Sequence, residues 1–352
     1  MADKAANEGQ TKARALVYPL ERTPDPGSAV EIAPGVLWMR MPLDGPLGFI
    51  NVWALADGDG WTLVDTGMQT RSTAQAWRRV LSGPLAGRPV TRVLVTHLHP
   101  DHVGMAGWLT RKFDCRLWMT RLEYLQCRML AEDTGEAPED ALRFYHRAGW
   151  GEEAIEDYRT RFGGFGKRIY QLPDSYRRMQ DGETIRIGEH DWRVVVGSGH
   201  SPEHACLHCA ELNLMISGDQ VLPRISSNVS VFPTEPDGDP LSEWLTSLAR
   251  IETKVPADAL VLPAHNDPFL GLHLRLEHLI RGHERGLERL TRLLAEPKRA
   301  IDVFGVLFAR AIGPELLGMA TGEALAHLNC LIVRGHAVAR PDAKGVVWYS
   351  QA

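Results

Sequence analysis

Thr96-His97-Leu98-His99-Pro100-Asp101-His102-Val103-Gly104 is the stretch on which the reading of this chain turns. It packs three imidazoles and one carboxylate into six residues, directly after the apolar run Val93-Leu94-Val95. A strand ending in such a cluster delivers nitrogen and oxygen ligands to one point at its C-terminal edge. Histidine suits zinc or iron, and a neighbouring carboxylate is its usual companion in an open catalytic site. Pro100 cannot extend a strand ladder but suits a first helical turn, so the chain is expected to turn helical near Asp101. His97 and His99, two apart in extended chain, can point the same way. Asp101 and His102 then project from the new helix start, a geometry that can serve two adjacent metals.

Outward from this cluster, composition sets the bounds. The 352 residues suffice for one large α/β domain with a smaller appendage, or for two ordinary domains. An apolar share of 44% and a charged share of 24% are those of a soluble globular protein. A net charge of −5 gives no electrostatic footprint for nucleic acid or anionic membrane. No run of about 18 uninterrupted apolar residues occurs, so no transmembrane helix is expected. Residues 1–14 are polar, lack a signal-peptide core and read as a disordered leader. The five cysteines are odd in number and scattered, which fits a reducing cytoplasm better than a disulfide framework. Cys206 and Cys209 form a C-x-x-C, but no second pair completes a structural zinc site, and they read as buried thiols in a strand.

Along the chain, residues 16–65 read as sheet. Val30 to Met41 alternates around Pro34-Gly35, Phe49 to Ala56 is a second run, and Asp57-Gly58-Asp59-Gly60 turns into Trp61-Thr62-Leu63-Val64. That strand ends in Asp65-Thr66-Gly67, where a carboxylate can orient a ligand histidine or a metal-bound water. Residues 70–82 have helical spacing, and Val90 to Thr96 is the strand feeding the cluster. From Met105 to Arg168 the sequence turns helical and more charged. A helical lid insertion is expected over about residues 114–168, in which Tyr124, Tyr145, His146 and Tyr158 could face substrate. Three later strands each end in a potential ligand: Trp192–Val196 in Gly199-His200, Leu212–Ser217 in Gly218-Asp219, and Ala259–Ala264 in His265. Glycines beside two of these allow close backbone approach.

These residues resemble the metallo-β-lactamase superfamily, whose H-x-H-x-D-H signature is complete here. The resemblance spans about residues 28–270 and includes Asp65-Thr66-Gly67, Gly199-His200-Ser201-Pro202, Ser217-Gly218-Asp219 and Pro263-Ala264-His265. It implies a four-layer αββα sandwich, an α/β fold with the site at one edge. Carried over by position, His97, His99 and His200 would bind one metal, and Asp101, His102 and His265 the second. Asp219 would bridge them together with a hydroxide. The implied cofactor is two Zn2+ per chain, with iron or manganese as alternatives. Asp101 would help protonate the leaving group, Asp65 would act behind the ligands, and His204 would do the same. The carboxylate at Asp219 departs from the best-known zinc β-lactamases, and the segment after it lacks the Gly-Cys-Gly-Arg of glyoxalase II.

Gly218 to Pro233 and the tail are more similar to the LACTB2-like branch. Arg224 and Asn228, just past a ligand strand, are candidates to hold a substrate carboxylate or phosphate. Leu276 to Leu294 predicts a long helix, Ile301 to Ala311 a shorter one, and Thr321-Gly322-Glu323 opens a third. A hairpin over His336–Arg340 and Val346–Tyr349 completes a winged-helix-like C-terminal domain. The expected division is a leader over 1–14, a catalytic domain over 15–270 and the C-terminal domain over 271–352. Its third helix has no lysine or arginine before Arg334, so packing or shaping a pocket wall is expected rather than DNA reading. The functional expectation is a cytoplasmic dinuclear hydrolase of a small ester, thioester or lactone. The alternatives are a metal-dependent ribonuclease or phosphodiesterase, and a mononuclear-iron persulfide dioxygenase-like enzyme. The expected partner is a small-molecule substrate, with no nucleic acid and no membrane, and a homodimer is left open.

Overall fold

The computed structural model describes residues 15–352, so the leader read over residues 1–14 lies outside the described residues. Short apolar runs, several of them buried on both faces, build the first sheet. β1 (Val30–Ala33), β2 (Val36–Pro42), β3 (Phe49–Asp57) and β4 (Gly60–Val64) run antiparallel in sequence order. α1 (Arg71–Ser82), capped by the Thr70 side chain accepting from Thr73 N, returns the chain to β5 (Val90–Leu94), parallel to β4. After α2 (Pro100–Val103) and α3 (Ala106–Phe113), β6 (Arg116–Met119) pairs parallel with β5. This strand falls inside the stretch 114–168 that the sequence reads as a helical insertion. Four residues are too few for a clear period-two signal. The helical part comprises α4 (Arg121–Glu132), α5 (Glu139–Ala148), α6 (Glu152–Arg161) and a 3-10 turn at Phe165–Arg168, after which β7 (Arg177–Arg178) completes seven strands.

The second sheet comprises β8 (Thr184–Ile187), β9 (His190–Gly197), β10 (His204–Cys209), β11 (Leu214–Gly218) and, after α7 (Pro240–Lys254), β12 (Leu260–Pro263). Its order is β12-β11-β10-β9-β8, with β11 and β12 parallel and the rest antiparallel. Trp38, Trp53 and Leu55 of the first sheet meet Trp192, Leu207 and Ile216 of the second in one core between the sheets. Trp77, Val80 and Leu109 cover the first sheet's outer face, and Trp244 and Leu248 cover the second's. Helices therefore flank two face-to-face sheets in four layers. Each fully buried Leu or Ile in these layers contributes roughly 1.5–3 kcal/mol against the entropy of ordering the chain. Cys206 and Cys209 sit three apart on β10 and so face opposite sides of the sheet, in different cores. Both are free thiols.

The remaining segment packs on the second sheet's outer layer. α8 (Leu272–Leu293), α9 (Phe304–Leu307) and α10 (Leu317–Val333) precede the antiparallel hairpin β13 (Ala337–Pro341) and β14 (Val347–Gln351). Leu276, Leu287 and Leu290 of α8 and Leu325 and Leu328 of α10 share a core with Trp244 and Val261. α10 is apolar almost all round because neighbours cover most of its faces. It begins at Leu317 rather than Thr321, since Pro314 opens a 3-10 turn that runs straight into it. The helix read over 301–311 shrinks to a 3-10 turn at Ala300–Val303 followed by α9. Phe308 is already extended there, at φ −113° and ψ 135°.

Candidate metal centre

Strand ends from both sheets converge on one edge. β4 runs into Asp65, β5 into the His97–His102 loop, β9 into His200, β11 into Asp219 and β12 into His265. Backbone bonds stitch the two sheets together there. Ala205 N donates to Thr96 O at 2.8 Å, and Asn51 N donates to Ala264 O at 2.7 Å. The buried Asn51 amide also donates to Pro263 O at 2.8 Å and Asn266 O at 2.7 Å, fixing the loop that carries His265. Gly199 sits at φ +97° against Trp244 and Pro240, where any Cβ would collide with backbone and side chain. Only glycine lets the chain turn into His200 at that spot.

The ligand candidates form two touching sets. His97 Nε2 lies 2.9 Å from His99 Nδ1 and 3.2 Å from His200 Nε2. Bonds of about 2.0–2.1 Å from one metal to each nitrogen would space them at roughly 3.3 Å, near the values seen. In the second set, His265 Nε2 is 3.3 Å and His102 Nε2 is 3.7 Å from Asp101 Oδ2. Asp219 reaches both. Its Oδ2 is 3.5 Å from His200 Nε2 and 3.5 Å from His102 Nε2, and its Oδ1 is 3.5 Å from His265 Nε2.

Outward partners fix which ring nitrogen faces inward. His200 Nδ1 donates to Asn228 O at 2.6 Å and His265 Nδ1 donates to Phe49 O at 3.1 Å. A carbonyl accepts only, so each of these rings keeps a proton on Nδ1 and turns Nε2 to the centre. Asp65 Oδ2 accepts from His102 Nδ1 at 2.8 Å, and Asp65 Oδ1 accepts from Thr96 N at 2.8 Å. Asp65 holds this position at φ 60°, a left-handed conformation that costs energy outside glycine and persists because three bonds over-determine it.

Electrostatics favour cations in the gap. Burial, reinforced by His102 and His99, pushes His97 well below its ordinary value, and burial with His200 pushes His99 down to about 3. Both are thereby kept in the neutral form that binds metal. Burial opposes ionisation of Asp101, yet His102 and His265 hold it down at about 2. Asp219 is likewise held well below the carboxylate range, as His265 and His102 outweigh burial. Buried His102 Nε2 and Asp219 Oδ1 have no hydrogen-bond partner, a cost of about 1–3 kcal/mol each when uncompensated. Both atoms point into the gap between the sets. Against burial, the neighbouring carboxylates raise His102 and His265 instead, so in the second set a metal ion would take the place of protons that now balance Asp101 and Asp219. Neutral His97 and His99, ionised carboxylates and two orphaned inward atoms fit divalent metal ions.

Residues 45–265 match the Metallo-beta-lactamase superfamily, and residues 287–352 match the Metallo-beta-lactamase-like, C-terminal domain. The chain belongs to the metallo-beta-lactamase superfamily. Among solved structures of this superfamily, a beta-lactamase domain protein from Burkholderia ambifaria is 40% identical, with a TM-score of 0.88 over 96% of this chain and 98% of that one. Among curated relatives, "Probable metallo-hydrolase YqjP" of Bacillus subtilis is 26% identical over 84% of this chain and 92% of its own length. The "Atrochrysone carboxyl ACP thioesterase" of Aspergillus fumigatus is 27% identical over 73% of this chain and 48% of its own length.

The other expected site residues divide within this superfamily frame. His204 is buried behind the centre, accepting from Asp219 N at 3.0 Å and stacking on His97. Asp65 is 1% exposed and lies behind His102, so it positions a ligand rather than meeting substrate. The structure changes the part read for Asn228. Its side chain is committed to Glu323 at 2.8 Å and to Ser230 at 2.6 Å, and its carbonyl holds His200. Arg224 is exposed but already occupied, 3.2 Å from Asp267 and over the Tyr18 ring. Two polar residues escaped the sequence reading. Asn51 interrupts an apolar strand, and Glu123 shares a helical face with buried Cys127. Each breach of an apolar pattern was the available signal.

Proposed function

We propose that the chain, a metal-dependent hydrolase of the metallo-beta-lactamase superfamily, uses a pair of zinc ions to cleave a small acyl thioester or related ester. The observation that carries this reading is the reach of Asp219 to ligands of both sets, within 3.5 Å on each side. His97, His99 and His200 would hold one ion, Asp101, His102 and His265 the other, and Asp219 would touch both. Such a pair supplies an acidified water as nucleophile and polarises the carbonyl that is attacked. Asp65 and the Asn228 and Phe49 carbonyls keep the imidazoles aimed, so little reorganisation is needed during turnover. We assign Asp101, whose side chain is 18% exposed, the relay of a proton from the bound water to the leaving group.

The preference for a thioester draws on the Aspergillus fumigatus relative, a thioesterase by name. A winged-helix-like reading of the C-terminal segment is supported by three helices followed by the β13–β14 hairpin. α10 carries no lysine or arginine along its length, which favours a structural role over nucleic-acid contact. The test is elemental analysis of the purified chain joined to a hydrolysis panel of acyl thioesters, lactones and phosphodiesters. Two metals per chain with thioester cleavage abolished by chelation is the expected result. Activity confined to phosphodiesters, or hydrolysis that survives complete metal removal, would overturn it.

A further inference from the structure

We infer that Glu123 is a positioning residue that locks together the two loops carrying the imidazoles of the first metal set. The inference rests on the metal-centre reading above. Glu123 lies in the first turn of α4, is fully buried, and has no partner on its own helix. Its Oε2 accepts from Leu98 N at 2.9 Å. Its Oε1 accepts from Ser201 Oγ at 2.6 Å and from Glu203 N at 2.9 Å. Leu98 stands between His97 and His99, and Ser201 directly follows His200. One loop extends from the seven-stranded sheet and the other from the five-stranded sheet, so a single carboxylate spans both.

The start of α4 is fastened to the same loop from outside. Thr120 Oγ1 donates to Glu203 O at 2.7 Å, and Leu122 N donates to Glu203 Oε2 at 2.8 Å. Glu123 is therefore held in place independently of the bonds it makes to the ligand loops. Its acceptors meet backbone N–H groups on both sides. A glutamine of equal shape would have to turn its NH2 toward either Leu98 N–H or Glu203 N–H, two donors face to face. An acceptor-only group satisfies both loops, and an apolar residue satisfies neither. Groups that orient ligands from behind typically change metal affinity without touching the metal.

The experiment measures zinc affinity of the full chain by competition with a chromophoric chelator at about pH 8, above the value of about 7 to which burial pushes the Glu123 carboxyl. Wild type, E123Q and S201A are compared, with melting temperatures of the metal-free proteins alongside. The expected result is two zinc ions per wild-type chain, with one of them loosened roughly 10–100-fold in E123Q. S201A, which removes one donor of three, should show a smaller loss of the same site and also guards against misfolding of E123Q. A lowered melting temperature with both zinc affinities unchanged in both variants would make Glu123 a packing residue and overturn the inference. A wild-type chain that takes up no zinc would instead overturn the metal centre itself.

Discussion

Glu323 of α10 accepts a hydrogen bond from the Asn228 amide at 2.8 Å, and the Asn228 carbonyl in turn accepts from His200 Nδ1 at 2.6 Å. Two bonds thus connect the C-terminal segment to a ligand candidate. Burial pushes the Glu323 carboxyl up to about 7, against the pull of the Asn228 bond. The folded chain therefore keeps this proton to higher pH than the unfolded chain, whose glutamates titrate near 4.3. Between those values the native state binds more protons, so this group makes stability fall as pH rises. Replacing Glu323 with Gln removes the titration. Relative to wild type, E323Q should gain in melting temperature as pH rises from about 4.5 to 8. Parallel curves for the two proteins would show that Glu323 ionises normally.

Asp65 orients His102 and caps Thr96 from a left-handed backbone position. Asparagine tolerates that conformation better than alanine does. D65N should fold but bind the second zinc roughly 10–100-fold more weakly, because the amide cannot satisfy three donors as the carboxylate does. D65A should add a loss of thermal stability from the strained φ. Calorimetric zinc titration of D65N with two unaltered affinities would remove Asp65 from the centre.

Asp219 lies within reach of ligands on both sides. D219A is expected to hold at most one metal and to lose at least about 100-fold in hydrolysis, more than a residue acting from behind the ligands would cost. Full turnover with one metal per chain would replace the dinuclear reading with a mononuclear one.

Cys206 and Cys209 look like a metal motif in the sequence but face opposite sides of β10. Burial pushes both thiols up, away from the thiolate that binds metal. C206S and C209S should leave the metal content of the chain unchanged. A loss of one metal in either variant would expose a further site near that strand.

Much of the centre was readable because its ligands are short polar interruptions at the ends of apolar strands, as at His97–His102, His200, Asp219 and His265. The sheets were readable from alternation along β2 and from the apolar runs of β3 and β9. What escaped depends on distant pairing. Glu123 meets Leu98 and Ser201 across 25 and 78 residues, and Asn51 meets Pro263 across 212. Local periodicity carries no record of such partners. β6 escaped for want of length, and Asn228 was read as a candidate substrate contact because its partner Glu323 lies 95 residues on.

The bond from Ala205 N to Thr96 O and the Asn51 clasp on the His265 loop have a kinetic consequence. Four of the seven ligand candidates, His97, His99, Asp101 and His102, come from the first sheet's loop, and three, His200, Asp219 and His265, come from the second's. Neither sheet forms a complete donor set without the other. High-affinity metal capture should thus come late in refolding, after the slow closure of long-range strand pairs. The rate at which a zinc signal appears would then clock the docking of the two sheets, not the formation of either one.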